Sequence, residues 1–370
     1  MVFPRHLSRT IHLHIGPGRN FSTLTSGEVA ILRGTCRLKA IASTSALVAG
    51  CTLLFALFFY SIWGISGVIP VLLLTTLATF LLHLRVSTRQ FPYHISPFRF
   101  RVLRSGRPLI QLGAAYVSAG ILGSGTEMLI RATVVNSENG LYAAGLYAAG
   151  LTLTVSYARM IFVAMDADYF PRLSAAAQDI SRQNMTVNSQ IHVLSLLMAP
   201  FLIILAISLP LVVRLLYSAE YLPVMPMVWA ALPFMYFKSI YSPIAYLSLA
   251  HGDSRVYFVM ELLYDVVFAA AVVVGYRYYG LLGAGIGLSL ANLADLLLLS
   301  LFYRKKYQFR FTRQGALLFL PQGILLLGVL CCMLLESAWL HYGISGALCF
   351  ISVLFSFIQL KKLWRSRPTA

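Results

Sequence analysis

The sequence predicts an all-α integral membrane protein of about ten transmembrane helices, and three observations carry that expectation. The first is composition. Of 370 residues, 59% are hydrophobic and 11% charged, and mean hydropathy is +0.78. A soluble domain carries roughly 25% charged residues. Too few charges are present to clothe a water-facing exterior, so lipid is the solvent. The second is the repeated alternation of apolar windows, each long enough to cross a bilayer, with short turn signals. The third is where the cations fall. Of the 29 Lys and Arg, all but Arg131, Arg159, Arg214, Lys238 and Arg277 lie on one alternating set of connecting segments. The intervening turns are short and nearly free of cations. That asymmetry is the positive-inside pattern, and it predicts an even number of spans with both termini cytoplasmic. The net charge of +17 is therefore topogenic, and no nucleic-acid-binding face is expected.

Residues 1–40 form a cytoplasmic basic N-terminal segment, partly irregular, with Gly16, Pro17 and Gly18 as breakers. No apolar core with a small-residue cleavage site marks a signal peptide there. Residues 41–84 hold two spans, at 41–62 and 66–84. Residues 85–107 form a basic amphipathic cytoplasmic linker, where Phe91, Tyr93, Phe98 and Phe100 interleave with arginines. Such a segment suits the anionic inner leaflet; plain topogenic charge accounts for the arginines equally well. Residues 108–303 hold six spans, at 108–132, 141–164, 188–216, 224–248, 256–278 and 281–303, read as a complete six-helix bundle. Residues 304–370 add two C-terminal helices, at 316–335 and 341–360, and a basic tail. The five cysteines lie mostly inside apolar spans without metal-ligand spacing, and no metal or cofactor is expected.

Two regions repeat. Gly34-Thr-Cys-Arg37 precedes a span ending at Trp63-Gly64-Ile-Ser-Gly67; Gly252-Asp-Ser-Arg255 precedes one ending at Tyr279-Gly280-Leu-Leu-Gly283. Each copy is followed at once by another span. Four spans precede the second copy within the bundle, and none precedes the first. The expectation is a pseudo-symmetric pair of bundles, the first represented by its last two helices.

An ionisable side chain at membrane depth is costly unless paired or facing water, so each is a functional candidate. Lys238 lies in a span between Pro233 and Pro243, which predict a kinked helix. Asp265 falls near the midplane, with Glu261 one turn away on the same face. Asp295 shares a polar stripe with Ser289 and Asn292. Two readings stay open for Lys238, Asp265, Asp295 and Glu261: ion pairs that fix helix packing, or the lining of a water-filled cavity in which cations hold an anionic head group and a carboxylate takes up a proton or sodium ion. Arg131 can pair with Glu127 at i,i+4, and Arg159 can snorkel to the inner interface; both are also candidate substrate ligands. No phosphate-binding glycine loop, H-E-x-x-H or clustered His/Cys set is present, so no enzymatic chemistry is expected.

At Phe162-Val-Ala-Met-Asp-Ala-Asp168-Tyr-Phe-Pro171-Arg-Leu-Ser174, preceded by Gly145-Leu-Tyr-Ala-Ala, the chain resembles the polysaccharide-exporter (O-antigen and capsule flippase) branch of the multidrug/oligosaccharidyl-lipid/polysaccharide superfamily. Gly280-Leu-Leu-Gly283-Ala-Gly and Leu32-Arg-Gly-Thr-Cys-Arg-Leu-Lys39 extend the resemblance over residues 28–310. It implies two helical bundles around a central cavity, and movement of an undecaprenyl-pyrophosphate-linked oligosaccharide across the cell inner membrane by alternating access, alongside polysaccharide-assembly partner proteins. Two other functions remain to be weighed. A membrane-embedded polysaccharide polymerase or transferase should show a long outer loop or an intramembrane histidine with partners. A cation-coupled drug antiporter of the same superfamily should show a dominant carboxylate site.

Overall fold

The computed structural model describes residues 21–32, 38–90, 100–333 and 338–365. The Gly34–Arg37 half of the repeat, the linker residues 91–99 and the last residues of the tail lie outside that set. Every secondary-structure element among the described residues is helical, as the composition requires. The chain divides into two compact units, Met1–Arg99 and Phe100–Ala370.

The first unit contains α1 (residues 21–32), α2 (Leu38–Trp63) and α3 (Val68–Gln90). Part of the segment expected to be irregular is therefore helical. Within this unit the Phe21 and Phe80 rings lie 5.6 Å apart. A short 3-10 turn, Gly64–Gly67, reverses the chain between α2 and α3. Gly64 turns with φ +54, and a Cβ on Gly67 would stand 2.6 Å from the Phe59 carbonyl oxygen.

The second unit contains α4 (Phe100–Val135), α5 (Gly140–Leu151), a π-helical turn (Thr152–Ser156), α6 (Tyr157–Ala176), α7 (Ile180–Leu216), a 3-10 turn (Ala219–Val224), α8 (Met225–Ala250), α9 (Ser254–Lys306), α10 (Arg313–Cys332) and α11 (Ala338–Arg365). α3 and α4 both run into the segment expected to be a connector: α3 continues to Gln90 and α4 begins at Phe100, so residues 85–90 and 100–107 of the 85–107 linker are helical. Pro108 lies inside α4 rather than opening it.

α9 is two antiparallel helices, residues 254–278 (α9a) and 281–306 (α9b), joined at Tyr279 and Gly280, the latter with φ 57 and ψ −139. Only glycine adopts that backbone readily. The hairpin then packs backbone on backbone: a Cβ on Gly283 would stand 1.9 Å from the Gly275 oxygen, and one on Gly287 2.5 Å from the Ala271 oxygen. The two G-x-x-G turns thus share one geometry. In each, the first glycine has positive φ, and the second presses on the backbone eight residues earlier (Gly67 on Phe59, Gly283 on Gly275).

Among the described residues, seven helices are apolar and long enough to cross a membrane. One of them is α9, which supplies two spans. α4 and α8 fall outside the seven because glycine, serine and charge dilute the former, and tyrosine, proline and Lys238 the latter. Counting both gives the expected ten. Within the second unit α8 is central: it packs on α9 and α7, and α10 and α11 pack against α7. Ile191, Leu194, Met198 and Leu202 of α7, with Leu232, Met235 and Ile244 of α8, form the core.

Candidate functional site

Because α8 carries Pro233, its hydrogen-bond ladder opens just above Lys238. Proline has no N–H and crowds the preceding turn. Phe234 N–H, whose partner in a regular helix is Ala230 O, donates to Ser289 Oγ of α9b (3.2 Å), and Ser289 Oγ donates to that same Ala230 O (2.6 Å). A hydroxyl from the neighbouring helix is thus inserted into the gap, one of the recognised causes of a helix kink. One turn further along α9b, Asn292 Oδ1 accepts from Tyr241 OH at 2.8 Å, while its Nδ2 donates to Leu288 O. The predicted Ser289–Asn292–Asp295 stripe therefore faces α8 throughout.

The third member, Asp295, lines a cavity of about 210 Å³ with Lys238 and Glu261. Tyr116 of α4, Tyr241, Ser242 and Tyr246 of α8, Tyr257 and Tyr264 of α9a, and Tyr303 of α9b complete its polar wall. Lys238 makes no ion pair among the described residues. Its ammonium lies over the Phe234 ring, 5.8 Å from the centroid. Glu261, Arg159, Asp166 and Asp295 are the charged groups near enough to act on it.

Glu261 and Asp265, though one turn apart, part company. Glu261 joins the cavity. Asp265 is buried and points at α4, where a Cβ on Gly123 would stand 3.8 Å from its Oδ1; its Oδ2 has no hydrogen-bond partner among the described residues. Arg131 pairs with Glu127 at 3.4 Å on an exposed surface of α4. Arg159 is exposed on α6, just past the π-turn. Neither belongs to the cavity wall. The tyrosine-rich stretch of α6 anchors the helix that carries Arg159: Tyr169 OH donates to Pro243 O at 2.7 Å, Tyr246 OH donates to Asp166 at 3.0 Å, and Arg172 pairs with Asp168 at 2.7 Å.

The tyrosines are the part of the site that residue-by-residue reading passes over. Tyrosine in a transmembrane helix ordinarily marks the interface. Tyr241 and Tyr264 lie well inside their helices, and that depth is the signal that they face something polar.

A second polar assembly closes the basic end of the unit. Asp179 caps α7 by accepting from Ser181 N and Arg182 N. Along one face of α7, Gln183 donates to Tyr307 O, Asn184 to Gln308 O and Asn188 to Arg310 O, at 3.1, 3.1 and 2.9 Å. In return Asn184 Oδ1 accepts from Arg310 N, and Asn188 Oδ1 from Thr312 N. Amides thus read the backbone of the 307–312 strap as a neighbouring strand would. Tyr307 OH donates to Asp253 at 2.7 Å, and its ring stacks on His251. Burial, then the hydrogen bond to Asp253, push the Tyr307 phenol well above the ordinary tyrosine range, so it stays a donor.

No curated protein sequence matches the chain. Among solved structures, lipid II flippase MurJ in its inward closed conformation is similar over 96% of this chain and 75% of that chain, with a TM-score of 0.58 and 16% identity. At that identity the likeness speaks for the fold, a helical membrane protein. The profile of the polysaccharide biosynthesis proteins matches residues 21–226, from α1 to the first turn of α8. With more than half its length matched, the chain belongs to the polysaccharide biosynthesis protein family.

Proposed function

We propose that the protein moves a lipid-linked oligosaccharide between the leaflets of the cell inner membrane for surface polysaccharide assembly, without covalent chemistry. The observation that carries this reading is the cavity itself. Lys238, Glu261 and Asp295 meet in an open space between α4, α8, α9a and α9b, and among the described residues Lys238 has no ion-pair partner. Buried charges kept for packing are paired; unpaired ones at membrane depth belong to a transport path. Family membership and the flippase-like fold point the same way.

In this mechanism the substrate is an undecaprenyl-pyrophosphate-linked oligosaccharide. Lys238 holds the head region. Glu261, Asp295 and Asp265 are the groups that exchange a proton or sodium ion between the two access states. Arg159, toward the cytoplasmic end, and Arg131, toward the outer end, stand outside the cavity wall as candidate ligands of the diphosphate. The proline-bearing α8 is the moving element, because Pro233 leaves a gap in its ladder and its neighbour α9b is bonded to it by exchangeable hydroxyl contacts. The basic end of the second unit, with Arg255, Arg304, Lys305 and Lys306, faces the cytoplasm and draws anionic lipid toward the entrance.

The test is leaflet accessibility of lipid-linked oligosaccharide in proteoliposomes with and without the chain. Transport is expected with the native chain and lost with Lys238→Ala at unchanged insertion. Equal accessibility with and without the protein rejects the proposal. A second reading, cation-coupled antiport of a drug, draws on the excess of carboxylates over cations in the cavity. It predicts instead that Asp295→Asn abolishes efflux while Lys238→Ala spares it.

A further inference from the structure

The cavity is ill suited to a diphosphate. Its ionisable groups are one ammonium, Lys238, and two carboxylates, Glu261 and Asp295. A diphosphate calls for several cationic donors, and both carboxylates would repel it. What the wall supplies in quantity is aromatic surface: tyrosines 116, 241, 246, 257, 264 and 303, drawn from four helical segments. Two are fixed in place. Tyr241 is held by Asn292 and Tyr246 by Asp166, so their rings cannot swing aside. Tyr116 and Tyr257 stack nearly parallel, with centroids 6.0 Å apart and planes at 13°, and neither hydroxyl is hydrogen-bonded among the described residues.

The size is informative as well. The cavity offers about 210 Å³. That is room for one six-membered sugar ring and its nearest waters, and too little for an oligosaccharide. A pyranose has apolar C–H faces and a rim of hydroxyls. Tyrosine rings bury the faces; carboxylates accept from neighbouring hydroxyls in charge-assisted bonds; an ammonium donates to ring or acetamido oxygens. Aromatic planes, two acceptors and one strong donor at the scale of a single ring are the complement of that molecule.

We infer that the cavity between α4, α8, α9a and α9b is a monosaccharide subsite that receives one pyranose ring of the cargo while the diphosphate remains outside it. The identity of the cargo rests on the transport reading; the sugar-binding chemistry does not.

Saturation-transfer difference NMR on the full chain in nanodiscs tests it, with methyl β-glucopyranoside and the methyl glycoside of N-acetylglucosamine as probes. The expected result is saturation of ring C–H protons on at least one probe, unaffected by equimolar inorganic pyrophosphate. Tyr257→Leu removes the ring and should weaken binding about fivefold, whereas Tyr257→Phe should retain it. Glu261→Gln, which conserves volume, should weaken binding too, and serves if the leucine variant does not fold. Absence of saturation on both glycosides, displacement by pyrophosphate, or unchanged binding in Tyr257→Leu and Glu261→Gln overturns the inference. A chain that flips lipid-linked oligosaccharide yet binds neither glycoside overturns the sugar subsite alone. One that binds a glycoside and flips nothing supports the subsite and overturns the transport reading.

Discussion

If Ser289 is the patch on a proline-opened helix, its worth must depend on the proline. Ser289→Ala removes the oxygen that joins Phe234 N–H to Ala230 O and leaves both backbone groups without that partner. An unsatisfied buried polar group costs about 1–3 kcal/mol. Interhelical hydrogen bonds in membranes measure lower, from about 0.6 to 2 kcal/mol. Partial closing of the helix recovers some of the loss, so about 1–2 kcal/mol is expected for the single variant. In a Pro233→Ala background the ring no longer holds the turn open, and Phe234 N–H can reach Ala230 O directly. There Ser289→Ala should cost under about 0.5 kcal/mol, giving a coupling near 1 kcal/mol. Reversible dodecyl sulfate titration in mixed micelles, followed by tryptophan fluorescence, measures all four corners of the cycle; Trp229 lies one residue from Ala230 and bonds Ala206 O at 3.1 Å. Because Lys238 sits five residues beyond the proline, Pro233→Ala should also reduce transport. A Ser289→Ala cost that is the same in both backgrounds, within about 0.3 kcal/mol, would refute the inserted-hydroxyl account.

Other consequences are read from single contacts. Gly283→Ala places a methyl 1.9 Å from the Gly275 oxygen and should splay the α9 hairpin. Size-exclusion chromatography should show loss of monodisperse protein, while Gly113→Ala, with nothing among the described residues within 4 Å, should elute as the native chain does. Asn188→Ala breaks the bonds to Arg310 O and Thr312 N; at about 1 kcal/mol each the strap should open at least roughly tenfold more often. Limited trypsin digestion at Arg310 and Arg313 reads that opening, and an unchanged cleavage rate would mean the ladder does not hold the strap.

How much of this was legible in the sequence follows from how each feature is encoded. Span number and the α9 reversal depend on local composition and on a glycine turn, and both were legible: the chain reverses at Gly280, where the G-x-x-G pattern placed the turn. The Glu127–Arg131 pair, too, needs only i,i+4 spacing on one helix. The Ser289–Asn292–Asp295 stripe was visible as a stripe, but nothing along α9b says that Ser289 serves a gap in α8. That role exists only because Pro233 stands opposite. Glu261 and Asp265 show the limit of face arguments. Residues four apart share a side of the helix, yet the helix meets two neighbours there, so one carboxylate enters the cavity and the other meets Gly123 of α4. The cavity wall is the furthest from local reading. Its tyrosines come one or two at a time from four segments separated by up to 187 positions (Tyr116 to Tyr303, 303 − 116 = 187), and each alone resembles an interfacial anchor. What could have singled them out is a pairing of two local signals, a phenol at mid-span and an ionisable group within a turn of it. Tyr241 follows Lys238 by three residues, and Tyr257 and Tyr264 bracket Glu261 at four and three. On a helix, such spacings put ring and charge on one side, and in lipid that side has to face a polar space.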